Sequence, residues 1–259
     1  MASFLIGSCT FISSCKDDFA DINTNPTIVS KPDPRYLFTQ ALANFDGHDY
    51  FAWYYDYNNM LRWSQTVAST GGNENLMTTM SNSGKMGSQV YNVMNQVNEL
   101  TYIVNTTLEG EEQAKYTYLK ALCQPLMIYL AMWDTDMYGS MAYTEAYQAR
   151  YGGTLTPKYD TQAELFDLWE KQLKETVETL ANDVTIDGNK VTQQSLGSQD
   201  IIYQGDYTKW LKFANSLRLK LAVRLINEDK NRALNIVRDA AKYPIMDLSL
   251  IHISEPTRP

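Results

Sequence analysis

The chain has 259 residues, 44% of them hydrophobic, with 18 Tyr, 5 Trp and a formal net charge of −8. That length can bury a substantial core, and that aromatic content marks a globular protein, not a disordered one. The acidic balance excludes a general phosphate-backbone binder, which needs a basic face, and no apolar run approaches the roughly 20 residues of a membrane-spanning helix.

Residues 1–14 are apolar and rich in small side chains, like the end of a secretory signal, although the usual basic start is missing. Ile12-Ser13-Ser14-Cys15 resembles a bacterial lipobox, whose cysteine takes the lipid after cleavage; Ile6-Gly7-Ser8-Cys9 fits almost as well. Lys16-Asp17-Asp18 decides between them. Charges directly after the cysteine resemble the signal that sends lipoproteins to the outward face of the outer membrane. The expectation is a residual signal peptide over 1–14 and a tether over 15–33 lipidated at Cys15. Acyl chains there would contribute about 0.8 kcal/mol per buried methylene.

After the tether the chain reads as helix after helix. A first pattern covers about 34–45, and a very aromatic one comes next at "YFAWYYDYNNMLRWSQ", 50–65. A polar, glycine-bearing loop spans 68–87. Val90, Val93, Met94, Val97, Leu100 and Val104 then mark one helical face. Leu119, Leu122, Cys123, Leu126, Leu130 and Trp133 mark the next, with Pro125 inside it removing one backbone hydrogen bond. Thr161 and Glu164 form a capping-box signature for a helix facing inward with Leu165, Leu168, Trp169, Leu173, Val177 and Leu180. The segment 183–206 reads as a surface loop. Asp206 caps a helix with Trp210, Ala214, Leu217, Leu221 and Leu225 inward, while Lys209, Lys212, Lys220 and Arg224 form its solvated side. Asp229 caps a last helix carrying Ala233, Ile236, Val237 and Ala240. The tail "LSLIHISEPTRP", 248–259, continues no earlier pattern and resembles the peptide that read-through of a sequencing adapter produces. Paired helices with alanines at close-packing positions predict an all-α solenoid over 34–247.

Little in this pattern supports catalysis. Cys9, Cys15 and Cys123 form no disulfide or zinc spacing, and Cys123 reads as a small buried apolar residue. His48 and His252 are the only histidines, and His252 lies in the anomalous tail. Asp134 and Asp136 could be imagined as a carboxylate pair, but two residues apart on a helix they point in different directions. They read as helix-terminating residues without a partner to tune them. No loop with cation-ligand spacing occurs, and no cofactor is expected.

Several stretches together resemble the SusD/RagB family of outer-membrane nutrient-binding lipoproteins. "DFADINTNPT" (18–27) is similar to the segment after the lipidated cysteine. "DTDMYGSMAYTEAYQ" (134–148) resembles a helix-exit motif, with Met141 where proline would be common. "TPKYDTQAELFDLW" (156–169) and "IIYQGDYTKWLKFANSLRLKLAVRL" (201–225) match the family's later motifs. The resemblance implies tetratricopeptide-like helix pairs in a right-handed solenoid with long surface loops. It also implies a lid on a SusC-like TonB-dependent transporter that captures oligosaccharides or peptides. Such proteins run to about twice this length, so a C-terminal half contributing to the ligand site is expected to be absent.

Glycan recognition uses flat aromatic faces, planar amides and guanidinium groups. "WYYDYNNMLRW" carries Trp53, Tyr54, Tyr55, Tyr57, Asn58, Asn59, Arg62 and Trp63, and the next loop adds Asn73, Glu74 and Asn75. Trp53, Tyr54, Tyr57, Arg62, Trp63, Asn73 and Asn75 are the candidate ligand contacts. Packing explains Trp53 and Tyr57 as readily, since they recur with Leu61 at four-residue spacing, and loop asparagines also form turns. Trp210, Asn215 and Ser216 read as residues that hold the helix pairs together. Two other readings remain. A helical glycoside hydrolase needs paired carboxylates across a cleft and would turn over an oligosaccharide. A peptide-binding scaffold needs neither lipobox nor aromatic cluster.

Overall fold

Side-chain caps begin half of the helices among the described residues. The computed structural model describes residues 33–45, 60–68 and 88–247. Helix α1, Pro34–Ala43, starts with Pro34 at a position where its missing amide hydrogen costs nothing, and Asp33 accepts from the Arg35 amide at 2.9 Å. A single turn, α2 at Leu61–Trp63, comes second. Next are α3 at Ser88–Thr107, the short α4 at Gly110–Ala114 and α5 at Thr117–Tyr138. Helix α6, Gln162–Ala181, opens with the expected capping box between Thr161 and Glu164. Helix α7, Tyr207–Leu225, is capped by Asp206, and α8, Lys230–Ala240, by Asp229. Helix α1 packs on α3, α3 on α5, α5 on α6, α6 on α7 and α7 on α8, with α5 also reaching α7. This consecutive packing gives the all-α architecture that the helical periodicity implied.

The inward stripes match that periodicity. Val90, Val93, Met94, Val97, Leu100 and Val104 of α3 are all buried, as are Leu165, Trp169, Leu173, Val177 and Leu180 of α6. Leu168 and Trp133 are half-buried. Val237 departs from expectation. It is 40% exposed, because Ala233, Ile236 and Ala240 alone form the stripe that α8 buries against α7.

Pro125 sits in mid-helix without ending α5. It has no amide hydrogen, so the Ala121 carbonyl four residues earlier loses its helical donor. The buried Thr176 hydroxyl of α6 approaches that carbonyl at 3.4 Å and donates to it. A backbone defect in one helix is thereby met by a side chain of the next.

The segment 183–206 is more ordered than a plain surface loop. It contains a two-stranded hairpin, β1 at Thr185–Ile186 and β2 at Asn189–Lys190. Asp187 and Gly188 both have positive φ at its tip, as a two-residue primed turn requires. A 3-10 turn lies at Gly197–Gln199, and Val191, Leu196, Asp200 and Tyr203 are buried. The Asp200 carboxylate accepts from the amides of Ile202, Tyr203 and Gly205 and from the Trp210 indole at 2.7 Å. Gly205 is required there: a Cβ would lie 2.9 Å from the Gly197 nitrogen, and φ is +82°. Trp210, 1% exposed, also meets Phe38 and Tyr203 edge-on.

Asn215 and Ser216 fasten the segment that leaves α8. The Asn215 amide donates to the carbonyls of Ala240, Tyr243 and Pro244, and the Ser216 hydroxyl accepts from the Met246 amide. Arg218, 2% exposed, pairs with Asp239 at 2.5 Å and donates to Asn215. The α7 cations are engaged as well as solvated. Arg224 pairs with Asp136, Lys212 reaches Asp247 at 3.3 Å, and Lys220 lies 4.9 Å from the centre of the Tyr129 ring.

Candidate functional site

Of the ligand contacts expected from sequence, Arg62 and Trp63 fall among the described residues. Cys15, Trp53, Tyr54, Tyr57, Asn73 and Asn75 lie outside them, as does the tail 248–259. Trp63 is 44% exposed on the α2 turn, with the half-buried Arg62 beside it. Backbone amides of Thr66 and Val67 close this turn onto the Leu61 carbonyl, and Gln65 takes a left-handed φ of 58°.

A second aromatic surface was not anticipated. It is built where the loop between α5 and α6 crosses α3. Gly139 ends α5 with a φ of +77°, and Met141 and Asp160 pair as an isolated antiparallel bridge. Asp160, 1% exposed, accepts from the amides of Tyr143 and Thr144 and from the Thr144 hydroxyl at 2.8 Å. Burial alone would raise its pKa. The donors of Thr144 and Tyr143, with Lys158, hold it below the usual carboxylate value instead.

Three side chains of α3 then hold the loop. The Tyr91 hydroxyl donates to the Ala142 carbonyl, the Asn98 amide to the Ala146 carbonyl, and Glu99 accepts from the Tyr151 hydroxyl at 2.6 Å. Arg150 also pairs with Glu99, at 3.1 Å. Tyr147 stacks on Tyr91 with centroids 5.8 Å apart, and Tyr151 stacks on Tyr102 at 4.6 Å. Tyr147, Tyr102 and Tyr159 remain exposed. At Gly153 the chain turns so closely that a Cβ would come within 2.5 Å of the Gln148 Cβ.

Asp134 and Asp136 separate as their spacing required, and their surroundings differ. Asp136 faces Arg224. Asp134 is 6% exposed, one of its carboxylate oxygens has no hydrogen-bond partner, and burial pushes its pKa up to about 7. Burial, and then the Asp134 charge, also raise the Tyr91 hydroxyl. Burial is the cause of the Asp134 shift, and no cluster of three or more metal-ligating side chains occurs among the described residues. Cys123 is fully buried, and desolvation pushes its thiol up to about 12, consistent with packing. No helix among the described residues is long and apolar enough to cross a membrane.

This arrangement offers flat ring faces with polar edges, on a scaffold fixed by buried hydrogen bonds. It suits recognition of ring-shaped ligands with alternating apolar faces and hydroxyls. Half of its signal was present in the sequence: Tyr91, Asn95, Asn98 and Tyr102 recur at four, three and four residues along the polar side of α3. The loop tyrosines carry no such periodic signal.

Comparison with known proteins supplies a family. A sequence profile described as SusD-like, "Starch-binding associating with outer membrane", matches residues 26–250. No curated protein matches. Among solved structures, one named a chitin-binding protein aligns with a TM-score of 0.65 at 22% identity, covering 83% of this chain and 44% of its own. A SusD homolog from Parabacteroides distasonis aligns with a TM-score of 0.64 at 20% identity, covering 84% and 40%. A chitin-binding SusD homolog from Flavobacterium johnsoniae aligns with a TM-score of 0.50 at 27% identity, covering 63% and 31%. The chain spans less than half the length of these structures.

Proposed function

This chain belongs to the SusD-like family, and from that premise we propose that it is a carbohydrate-binding protein of nutrient uptake at the outer membrane. The match over residues 26–250 to a family described as starch-binding carries this reading. Exposed aromatic rings on a rigid helical frame support it. In this reading Cys15 bears the lipid anchor and 15–33 is the tether. The protein faces outward and passes captured oligosaccharide to a SusC-like TonB-dependent transporter. Trp53, Tyr54, Tyr57, Arg62, Trp63, Asn73 and Asn75 contribute to the ligand surface. The protein acts by binding and not by turnover.

Isothermal titration of the full chain with maltohexaose and with chitohexaose tests the binding step. Saturable heat with either sugar, with no product on overnight incubation, is the expected result. Absence of heat with both, or release of shorter sugars, overturns the reading. Co-purification of a transporter barrel with the lipidated protein, lost in Cys15→Ala, tests the anchor and the partner.

A further inference from the structure

Tyr91 and Tyr102 are eleven positions apart on α3, which places them only about 20° apart around the helix and about 16 Å apart along it. Each is covered by one tyrosine of the loop, so the surface carries two stacked ring pairs on one line. Stacking fixes the rings, and fixed rings lose little freedom when a ligand arrives. Asn95 lies between them, exposed, with a planar amide that both donates and accepts.

Tyr147 is held outward against its own backbone preference. Its φ of 56° is left-handed, uncommon for a bulky residue, and the residue stays 47% exposed with its ring stacked on Tyr91. A turn chosen only for stability would place Gly or Asn there. Basic side chains are not free on this surface, since Arg150 is paired with Glu99. Apart from Leu155, the large exposed apolar side chains described from α3 to the start of α6 are tyrosines, whereas those of α7 and α8 are Val223, Leu234 and Val237.

We propose that this tyrosine shelf is a second carbohydrate subsite, distinct from the early aromatic segment, that takes an extended oligosaccharide lengthwise along α3. The proposal rests on the glycan-binding reading above and adds a spacing rule to it. A short sugar reaches one ring pair. A chain long enough to span both gains the second contact as an intramolecular event.

The test is isothermal titration of the full chain with a ladder from maltose to maltoheptaose and a matching chito-oligosaccharide ladder. Four forms are compared: wild type, Tyr102→Ala, Tyr147→Gly, which keeps the left-handed φ while removing the ring, and Tyr147→Phe. In wild type the affinity is expected to step up about tenfold once the ligand spans both pairs. Tyr102→Ala and Tyr147→Gly are each expected to abolish the step, so that long sugars bind that variant no more tightly than short ones do, and Tyr147→Phe to retain it. A step that survives in both ring-deleted variants overturns the shelf. If Trp63→Ala then removes binding, the glycan-binding reading survives without it. A folded wild-type chain that binds no sugar of any length overturns both.

Discussion

The two ends of the described chain expose apolar side chains in opposite ways. Around α3 and the loop from α5 to α6 they are, Leu155 apart, tyrosines, on a loop held to α3 by the Tyr91 and Tyr151 hydroxyls and braced by the Asp160 carboxylate. Around α7 and α8 they are aliphatic, and the elements beneath are fastened by the buried Arg218–Asp239 pair and the Asn215 amide. Exposed apolar area alone therefore does not mark a ligand surface. The tyrosine surface combines stacked rings, a left-handed backbone position and hydroxyl-bearing edges, as recognition of a polar ring compound demands. The aliphatic face offers area without directional groups.

The largest expected effect lies at the aliphatic end. Asp239→Asn removes the charge partner of a guanidinium that is 2% exposed and is expected to cost about 3 kcal/mol in urea unfolding. Lys242 and Arg218 hold the Asp239 carboxyl at about 2. A depressed acid stabilises above its unfolded value near 4 and loses that contribution as pH falls towards 2. The variant should therefore show a flatter acid limb than wild type.

At the tyrosine end, Asp160→Ala strips the acceptor from two amides and a hydroxyl and is expected to cost about 2 kcal/mol. Hydrogen exchange should quicken at Tyr143 and Thr144 while the α8 amides keep their protection. Uniform quickening across both ends would dissolve the distinction between them.

Asp134→Asn is expected to act in the other direction with pH. Burial raises Asp134 to about 7, so the folded state holds its proton more tightly and wild-type stability falls as pH rises from about 4 to about 7. Chemical denaturation of the variant should show a shallower fall, and greater stability than wild type at pH 8 by roughly 1–2 kcal/mol. The smallest effect tests the helix-to-helix repair. Thr176→Val should cost about 1 kcal/mol, and the loss should vanish in the Pro125→Ala background, where α5 supplies its own donor to Ala121.

Much of the frame was legible because helices announce themselves at a period of 3.6 residues. The α3, α6 and α7 stripes, the Thr161–Glu164 box and the Asp206 and Asp229 caps all derive from local spacing. Val237 was misplaced because a stripe's width is set by the neighbouring helix, which the sequence of α8 does not contain. The hairpin had one readable sign, Asp187-Gly188, but its strands are two residues long and carry no alternation. Asp160, Thr144 and Lys158 fall inside the family motifs, yet their role in stitching the loop emerges only once the chain has folded. The tyrosine shelf was half legible: Tyr91 and Tyr102 share a helical stripe, while Tyr147 and Tyr151 reach it through loop geometry alone. Of the ligand residues expected from sequence, Arg62 and Trp63 are among those described.

The most direct measurement is a titration of the full chain with maltoheptaose, monitored by nuclear magnetic resonance with labelled tyrosine rings and labelled valine and leucine methyls. Ring signals of Tyr102 and Tyr147 should move together and saturate, while the methyls of Val223, Leu234 and Val237 stay in place. Methyl shifts on α7 and α8 with stationary rings would contradict the account, because the ligand would then have chosen the surface without directional groups.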